Sequence, residues 1–243
     1  MSQPLLRAQG GSDEACMTLT GHLDELRRRL LRSIGAVAAG ALLCQFFIDD
    51  LTHLLTAPAG TLYFMKPAEA FFMYFKLLIA GGVAVASPVI FYEFWAFLMP
   101  AFSRQNRKTL TVLVLSSLTL FIAGGALAFF VVVPQGLRFF LSFGGNLGQP
   151  LISMENYLSF VIALVLPFGL VFNLPLALLI LAKMGLVSSA GLKSKRRFVI
   201  FASFVASAVL TATTDVFSQC LLALPMILLY EISCQIIRYF IEK

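Results

Sequence analysis

Six long apolar stretches constrain this chain more than any other feature of its sequence. A membrane-crossing helix needs about 20 mostly apolar residues, and the chain places such stretches one after another between short polar turns. Of its 243 residues, 59% are hydrophobic and 12% are charged, whereas soluble domains carry about 25% charged residues. The sequence therefore predicts an all-α integral membrane protein with six transmembrane helices. The predicted spans cover residues 33–48, 68–98, 109–133, 157–182, 198–213 and 216–237.

The remaining chain is too short for a separate soluble domain, so residues 1–243 are predicted to form one membrane domain. Residues 1–21 are a polar tail. Residues 22–32 are predicted to form an amphipathic helix, because Leu23, Leu26 and Leu30 share one helical face. Acidic residues precede arginines by three or four positions in this segment, which is the favourable order for helical ion pairs.

The basic residues predict the orientation of the chain. Fifteen of the 18 Lys and Arg residues lie in the N-terminal segment, the loops after the second and fourth spans, and the C-terminus. The other three are Lys66, Lys76 and Arg138. Because cytoplasmic segments carry an excess of Lys and Arg, both termini are predicted to be cytoplasmic.

The fifth predicted span is short. Its 16 residues would reach about 24 Å as a helix, less than the hydrocarbon thickness of about 30 Å. It is joined to the sixth span by almost nothing, Thr213-Thr214-Asp215. We therefore expect either a locally thinned bilayer or a hairpin that stops short of one surface.

Catalytic and cofactor motifs are absent from the sequence. There is no Gly-x-Ser-x-Gly, His-Glu-x-x-His or Walker motif. The two histidines, His22 and His53, both lie outside the spans, and the four cysteines are not spaced as a metal site. The sequence predicts neither an enzyme nor a bound cofactor or metal.

Five polar side chains lie inside the predicted spans, where polar groups are costly and often functional: Lys76, Glu93, Asn173, Gln219 and Glu231. Each also has a purely structural interpretation. Lys76 and Glu93 lie near helix ends and could reach the headgroups, Asn173 could bond a carbonyl freed by Pro175, and Gln219 could join two helices. Glu231 is expected to face protein or a water-filled cavity. An aromatic run at residues 91–100 fits either an interfacial belt or a surface for an extended peptide.

Several motifs make the chain resemble the TatC family, the multispanning receptor subunits of the twin-arginine protein translocase. The resemblance covers about residues 22–239. It is carried by His22-Leu-x-Glu-Leu-Arg-x-Arg-Leu30, Ala57-Pro58, Pro88-Val-Ile-x-Tyr-x-x-Trp-Ala-Phe97 with Pro100, Tyr157-Leu-Ser-Phe-Val-x-Ala163, Phe168-Gly-x-x-Phe-x-x-Pro175, Asp215-Val-Phe-Ser-Gln219, Leu224-Pro-Met226 and Glu231-Ile232.

This resemblance implies a curved six-helix receptor with a concave face and no enzymatic activity. Members of the family bind the twin-arginine signal peptides of folded cargo proteins at the cytoplasmic face. They act with single-span TatA- and TatB-type subunits, and transport uses the proton-motive force. The implied location is the bacterial inner membrane, or an organellar membrane, and a homo-oligomer within a receptor complex is expected.

The resemblance also assigns residues. The signal-binding acid of the family falls at Glu25, and an aromatic position of the same site falls at Phe97. A second signal-binding acid would fall at Asn106, and the acid of the fourth-span motif falls at Asn173. We therefore expect Glu25 to carry most of the arginine recognition, because guanidinium pairs with carboxylate in a fork geometry.

The nearest remaining acids, Asp24 and Glu93, are candidate helpers in that recognition. The hairpin between the last two spans departs from the family's usual Thr-Pro-Pro-Asp, with one additional residue before Asp215. We expect Asp215, Phe217 and Gln219 to contact partner transmembrane helices, because a polar residue one turn into the bilayer suits helix docking.

Two other classes of protein fit the sequence less well. A small proton-coupled secondary transporter would show repeated halves and paired broken helices, and the sequence shows no matching halves. An intramembrane protease would need a nucleophile and a base within the spans, and no such pair occurs.

Overall fold

The computed structural model describes residues 19–98, 107–144, 151–211 and 216–240. Within these ranges the chain is helical, and an isolated bridge between Tyr63 and Ser153 is the only β pairing. The predicted all-α class is confirmed for this part of the chain.

Ten α-helices follow one another along the described chain. They are α1 (Leu19–Cys44), α2 (Ile48–Thr56), α3 (Glu69–Leu98), α4 (Arg107–Leu127), α5 (Val133–Gly144), α6 (Met154–Val171), α7 (Leu174–Lys183), α8 (Ser189–Ser194), α9 (Arg196–Thr211) and α10 (Val216–Phe240). Short 3₁₀ turns flank α2 at Gln45–Phe47 and Ala57–Ala59.

Five helical segments of the described chain are long and apolar enough to cross a membrane. They are Gly21–Ala59, Glu69–Leu98, Lys108–Ser142, Met154–Lys183 and Val216–Tyr239. Five of the six predicted spans therefore coincide with such segments. The other, 198–213, corresponds to α9, which is a helix of 16 residues.

The first helix joins the predicted amphipathic segment to the first span without a break, but α1 ends at Cys44 and a 3₁₀ turn at Gln45–Phe47 occupies the end of the span predicted at 33–48. Helical structure continues past the predicted end of the third span at Pro134. A π-helical turn at Ala128–Val132 precedes this proline, and the Val133 N–H bonds to the Ala128 carbonyl. Because a π turn shifts the hydrogen-bond register by one residue, the chain stays helical through a proline that lacks an N–H.

The fourth predicted span is broken once, between α6 and α7, and not at Pro167, which lies inside α6. Pro175 lies in the first turn of α7, where its missing N–H is tolerated. The Asn173 amide donates to the Gly169 carbonyl across 3.0 Å, while its own backbone N–H bonds to Leu170. The acceptor is not the carbonyl that Pro175 would free, which is that of Val171 four residues earlier. It is the Gly169 carbonyl, which the Asn173 N–H leaves when it turns to Leu170.

Helices α1 and α3 pack antiparallel with their backbones almost touching. A Cβ atom added to Gly40 would lie 2.7 Å from the Gly82 carbonyl oxygen, and one added to Gly82 would lie 2.8 Å from the Val37 oxygen. Small residues permit this close approach, as they do in membrane helix pairs generally. The pairing brings the start of α1 beside the end of α3.

The largest buried apolar cluster joins α3, the π turn, α6 and α10, with Phe168, Leu158 and Leu222 fully buried. At the ends of α3 and α6 remote from the start of α1, Glu69 joins two connections. Its carboxylate accepts from the Ser153 hydroxyl and from the backbone N–H groups of Met65 and Lys66. These contacts hold residues 63–66 against residues 152–154.

Candidate functional site

Two carboxylates on different helices share one arginine at the start of α1. Arg29 donates through Nε and Nη2 to Glu25 Oε1, at 2.9 and 2.6 Å, and through Nη1 to Glu93 Oε2 at 2.9 Å. Glu25 and Arg29 are one helical turn apart, so the predicted i,i+4 pair is confirmed. Arg32 extends the cluster, with its Nη1 3.5 Å from Glu93 Oε1.

The packing of α3 directs Glu93 toward α1. Trp95 is 2% exposed, and its indole N–H donates to the Ser117 hydroxyl of α4 across 2.7 Å. Phe91, one turn earlier, packs edge-on against Phe121 of the same helix. Position 93 lies on the other side of α3 from these anchors, because each residue turns a helix by about 100°. Its carboxylate therefore meets Arg29, with only 9% of the side chain exposed.

The predicted aromatic residue lies in the same region. Phe97 near the end of α3 stacks on His22 of α1, with ring centroids 4.4 Å apart. This contact lies on the same pair of helix ends as the Arg29 cluster. It places an apolar ring beside paired carboxylates, which suits a ligand that has both basic and apolar side chains.

A cavity of about 310 Å³ opens at this end of α1 and is lined by Gly21, Asp24, Glu25, Arg28, Arg29 and Arg32. Asp24 is exposed at its wall. Within the described chain, Glu25 Oε2 is buried and has no hydrogen-bond partner. A buried carboxylate oxygen without a partner is costly, and here it belongs to a site that can accept a guanidinium group.

The structure thus brings together four of the predicted signal-binding residues, Asp24, Glu25, Glu93 and Phe97. The fifth, Asn106, lies outside the described residues, and so does Asp215 of the predicted partner-binding set. Glu93 does not simply reach outward to headgroups, because both of its oxygens face arginines.

The described members of the predicted partner-binding set, Phe217 and Gln219, lie at the other end of the bundle. Gln219 donates to the Phe204 carbonyl across 2.8 Å, and Ser207 donates to the Gln219 carbonyl across 2.6 Å. Gln219 therefore joins α9 to α10 within the chain, which confirms the structural interpretation of this residue. Phe217 stacks face to face on Phe139 of α5, with centroids 3.5 Å apart.

The remaining intramembrane polar residues also have partners inside the protein. Glu231 pairs with Arg196 at 2.5 Å, as expected for a residue that faces protein. Lys76 bonds to Glu155 at 2.7 Å and to Ser159 at 3.0 Å. These residues line parts of the bundle away from the Arg29 cluster.

Sequence reasoning missed the residues that connect the site. The spacing of acids and arginines predicts pairs within α1 but not the bridge from Arg29 to α3, and nothing in the sequence indicates that His22 stacks on Phe97. One signal was available: if α1 and α3 are antiparallel, the last acid of α3 must lie beside the first arginines of α1. Only the tertiary pairing decides that geometry.

Comparison with known proteins identifies the family. The sequence profile of the family described as "TatC: Sec-independent protein translocase protein" matches residues 21–225. The chain belongs to the TatC family. TatC proteins are components of the Sec-independent, twin-arginine translocase, so the chain is a multi-pass membrane protein of bacterial protein transport, and the secondary-transporter alternative is not supported.

Individual TatC proteins match over most of their length. The Sec-independent protein translocase protein TatC of Desulforapulum autotrophicum is 39% identical over 95% of this chain and 88% of its own length. That of Escherichia coli (strain K12) is 38% identical over 96% of this chain and 92% of its own length. A crystal structure of the twin-arginine translocase receptor TatC superposes with a TM-score of 0.82, at 37% identity, covering 89% of this chain and 98% of that one.

Proposed function

We propose that this chain is the signal-receptor subunit of a twin-arginine translocase and that the Arg29 cluster is where the signal binds. The observation that carries the proposal is the pairing of Glu25 and Glu93, which hold one guanidinium group between two helices. Guanidinium groups pair with carboxylates in a fork geometry that a lysine ammonium cannot reproduce. A site that already binds one arginine in this way suits a signal carrying two.

Glu93 supports the proposal despite the amide at Asn106. A receptor without the second family acid needs another carboxylate near Glu25 to keep two acids for two arginines. Glu93 meets this requirement, because Arg29 joins it to Glu25 directly. Phe97 and His22 add an aromatic surface on the same helix ends for apolar residues of the signal.

The proposed orientation puts this site in the cytoplasm. Both chain ends then lie on the cytoplasmic side, in agreement with the distribution of Lys and Arg, and α9 makes the sixth crossing. At 16 residues, α9 spans about 24 Å, which requires a thinned bilayer. Residues 1–243 form one membrane domain, cupped as the family resemblance implies, in the bacterial inner membrane.

The proposed partners are single-span TatA- and TatB-type subunits, which dock at the α9–α10 hairpin around Asp215, Phe217 and Gln219. Together with them, and as a homo-oligomer, the chain transports folded proteins by means of the proton-motive force. The chain itself acts by binding and performs no catalysis.

The deciding experiment is site-specific cross-linking of a labelled signal peptide to the full chain in membranes. A photoreactive group beside Glu25 or Phe97 is expected to label a peptide with Arg-Arg strongly and its Lys-Lys counterpart weakly. A photoreactive group at Phe130, an exposed residue of the π turn, provides the control position. Two outcomes would contradict the proposal: equal labelling of the Arg-Arg and Lys-Lys peptides beside Glu25 or Phe97, or labelling of the Arg-Arg peptide from Phe130 that is as strong as from the site.

A further inference from the structure

Arg29 donates hydrogen bonds to only one oxygen of each carboxylate that it bridges. Two of its N–H groups go to the same oxygen of Glu25, Oε1, and a third goes to Oε2 of Glu93. The strongest pairing of a guanidinium with a carboxylate uses both oxygens in parallel. Neither acid receives that pairing from Arg29.

The two oxygens left over are poorly satisfied. Glu25 Oε2 is buried with no hydrogen-bond partner in the described part of the chain. Glu93 Oε1 has Arg32 at 3.5 Å, a distance at the limit of a hydrogen bond, and the Arg32 side chain is 58% exposed. The cluster therefore retains unused acceptor capacity on both acids.

Charge balance opposes simple addition of a ligand. Asp24, Glu25 and Glu93 carry three negative charges here, and Arg28, Arg29 and Arg32 carry three positive charges. Two further arginines in the same place would leave an excess of two positive charges, which is unfavourable near a low-dielectric membrane. A long arginine side chain at the boundary can instead turn its guanidinium group toward water or lipid headgroups.

We infer that Arg29 occupies the position of the ligand in the unliganded chain. An arginine of the signal displaces Arg29 from Glu25 and Glu93. This inference rests on the proposed function and adds to it a competition within the receptor. In the unliganded chain Arg29 keeps two acids of different helices close together despite their like charge. On binding, an incoming guanidinium group takes its place and reaches the oxygens that Arg29 leaves unsatisfied.

The competition makes the site selective for arginine over lysine. A ligand must pair with both acids better than Arg29 does in order to replace it. A guanidinium group of the signal meets this requirement, because it can donate to both oxygens of an acid in a fork. A lysine offers only a single point charge. A signal therefore has to bind Glu25 and Glu93 more strongly than Arg29 does.

The test measures binding of a fluorescent Arg-Arg signal peptide to the full-length chain in lipid nanodiscs. Arg29→Gln removes the competitor and keeps both acids, so binding is expected to tighten by about tenfold, which corresponds to about 1.4 kcal/mol. Arg28→Gln removes the same charge from the same cavity without breaking either bridge, and therefore measures the general electrostatic contribution. The effect of Arg29→Gln must clearly exceed that of Arg28→Gln.

Weaker or unchanged binding in Arg29→Gln would overturn the inference, since Arg29 would then position the acids rather than compete for them. If Arg29→Gln does not fold, Arg29→Lys decides, because it keeps the charge and loses the fork. It is expected to tighten binding by about threefold, and no gain would count against competition. Failure of the wild-type chain to bind the Arg-Arg peptide would instead refute the proposed function itself.

Discussion

Arg29 and Glu93 are 64 residues apart in the sequence, and their side chains meet at 2.9 Å. This single bond joins the first turns of α1 to the last turns of α3. Further along the same pair of helices, two glycines let the backbones approach closely. The geometry of the recognition site therefore depends on how these two membrane helices pack.

Replacing either bridging acid is expected to weaken signal binding. Glu25→Gln and Glu93→Gln each remove one charge-assisted interaction with the ligand, which costs about 1.5–3 kcal/mol and corresponds to about 10- to 150-fold in affinity. Peptide binding in nanodiscs measures both variants. Asp24→Asn, an exposed acid of the same cavity, should change affinity by less. A larger effect at Asp24 would mean that the exposed acid, rather than the bridged pair, recognises the signal.

The contact between α1 and α3 predicts opposite effects of a glycine-to-alanine substitution at two positions of α1. Gly40→Ala puts a methyl group 2.7 Å from the Gly82 carbonyl oxygen, so it should destabilise the chain by about 1–3 kcal/mol through overpacking. Gly35→Ala lies on the same helix with nothing within 4 Å of the added methyl group. It should be neutral or stabilise by up to about 1 kcal/mol through helix propensity.

Unfolding temperatures of the two glycine variants in the same detergent make the comparison. Gly40→Ala should also weaken peptide binding, because it separates the helices that Arg29 bridges. Similar unfolding temperatures for the two variants would contradict the close contact.

The fold was largely predictable from the sequence, and the site only in part. Long apolar stretches predict helices because backbone groups in a bilayer have no partners except one another. The third span was predicted to stop at Pro134, but the chain stays helical through Val133–Gly144. The π turn at Ala128–Val132 that precedes this proline leaves no signal in hydropathy. Glu25 and Phe97 were predictable from motifs. The connection of Glu25 through Arg29 to Glu93 was not, and neither was the stacking of Phe97 on His22, because both depend on how two helices pack.

The buried bond between Trp95 and Ser117 should stabilise the orientation of α3. Ser117→Ala removes the acceptor of the indole N–H and leaves a buried donor unpaired, which costs about 1–3 kcal/mol. Thr119→Ala is the matched control, because this exposed hydroxyl bonds only within its own helix, to Leu115. Thermal unfolding should show a loss for Ser117→Ala that is clearly larger than the loss for Thr119→Ala. Equal losses would contradict a stabilising role for the Trp95 bond.

Two acids near the other end of the bundle, Glu69 of α3 and Glu155 of α6, should differ in importance. Glu69 is buried and accepts bonds from Ser153 and from two backbone N–H groups, so Glu69→Gln should lower the unfolding temperature clearly. Glu155 forms an exposed ion pair with Lys76, and exposed pairs contribute at most about 1 kcal/mol. Glu155→Gln should therefore change the unfolding temperature little. The reverse ranking would show that the connections around Tyr63 and Ser153 do not depend on Glu69.

The α9–α10 hairpin allows partner docking to be separated from internal stability. Gln219→Leu removes the bond to the Phe204 carbonyl and also changes the side chain offered to a partner helix. Ser207→Ala breaks the neighbouring bond to the Gln219 carbonyl, but Ser207 is fully buried and presents no surface to a partner. Each variant should lose about 0.5–1.5 kcal/mol of stability, the net contribution of one hydrogen bond, because each removes one of the two bonds that join α9 to α10 here.

Cross-linking of a TatB-type partner should then fall only in Gln219→Leu, if the partner contacts that side chain. An equal fall in Ser207→Ala would mean that docking depends on the rigidity of the hairpin rather than on Gln219. Normal cross-linking in both variants would remove Gln219 from the partner surface. It would leave the residue with the one role that the structure gives it, which is to join α9 to α10 through the Phe204 carbonyl.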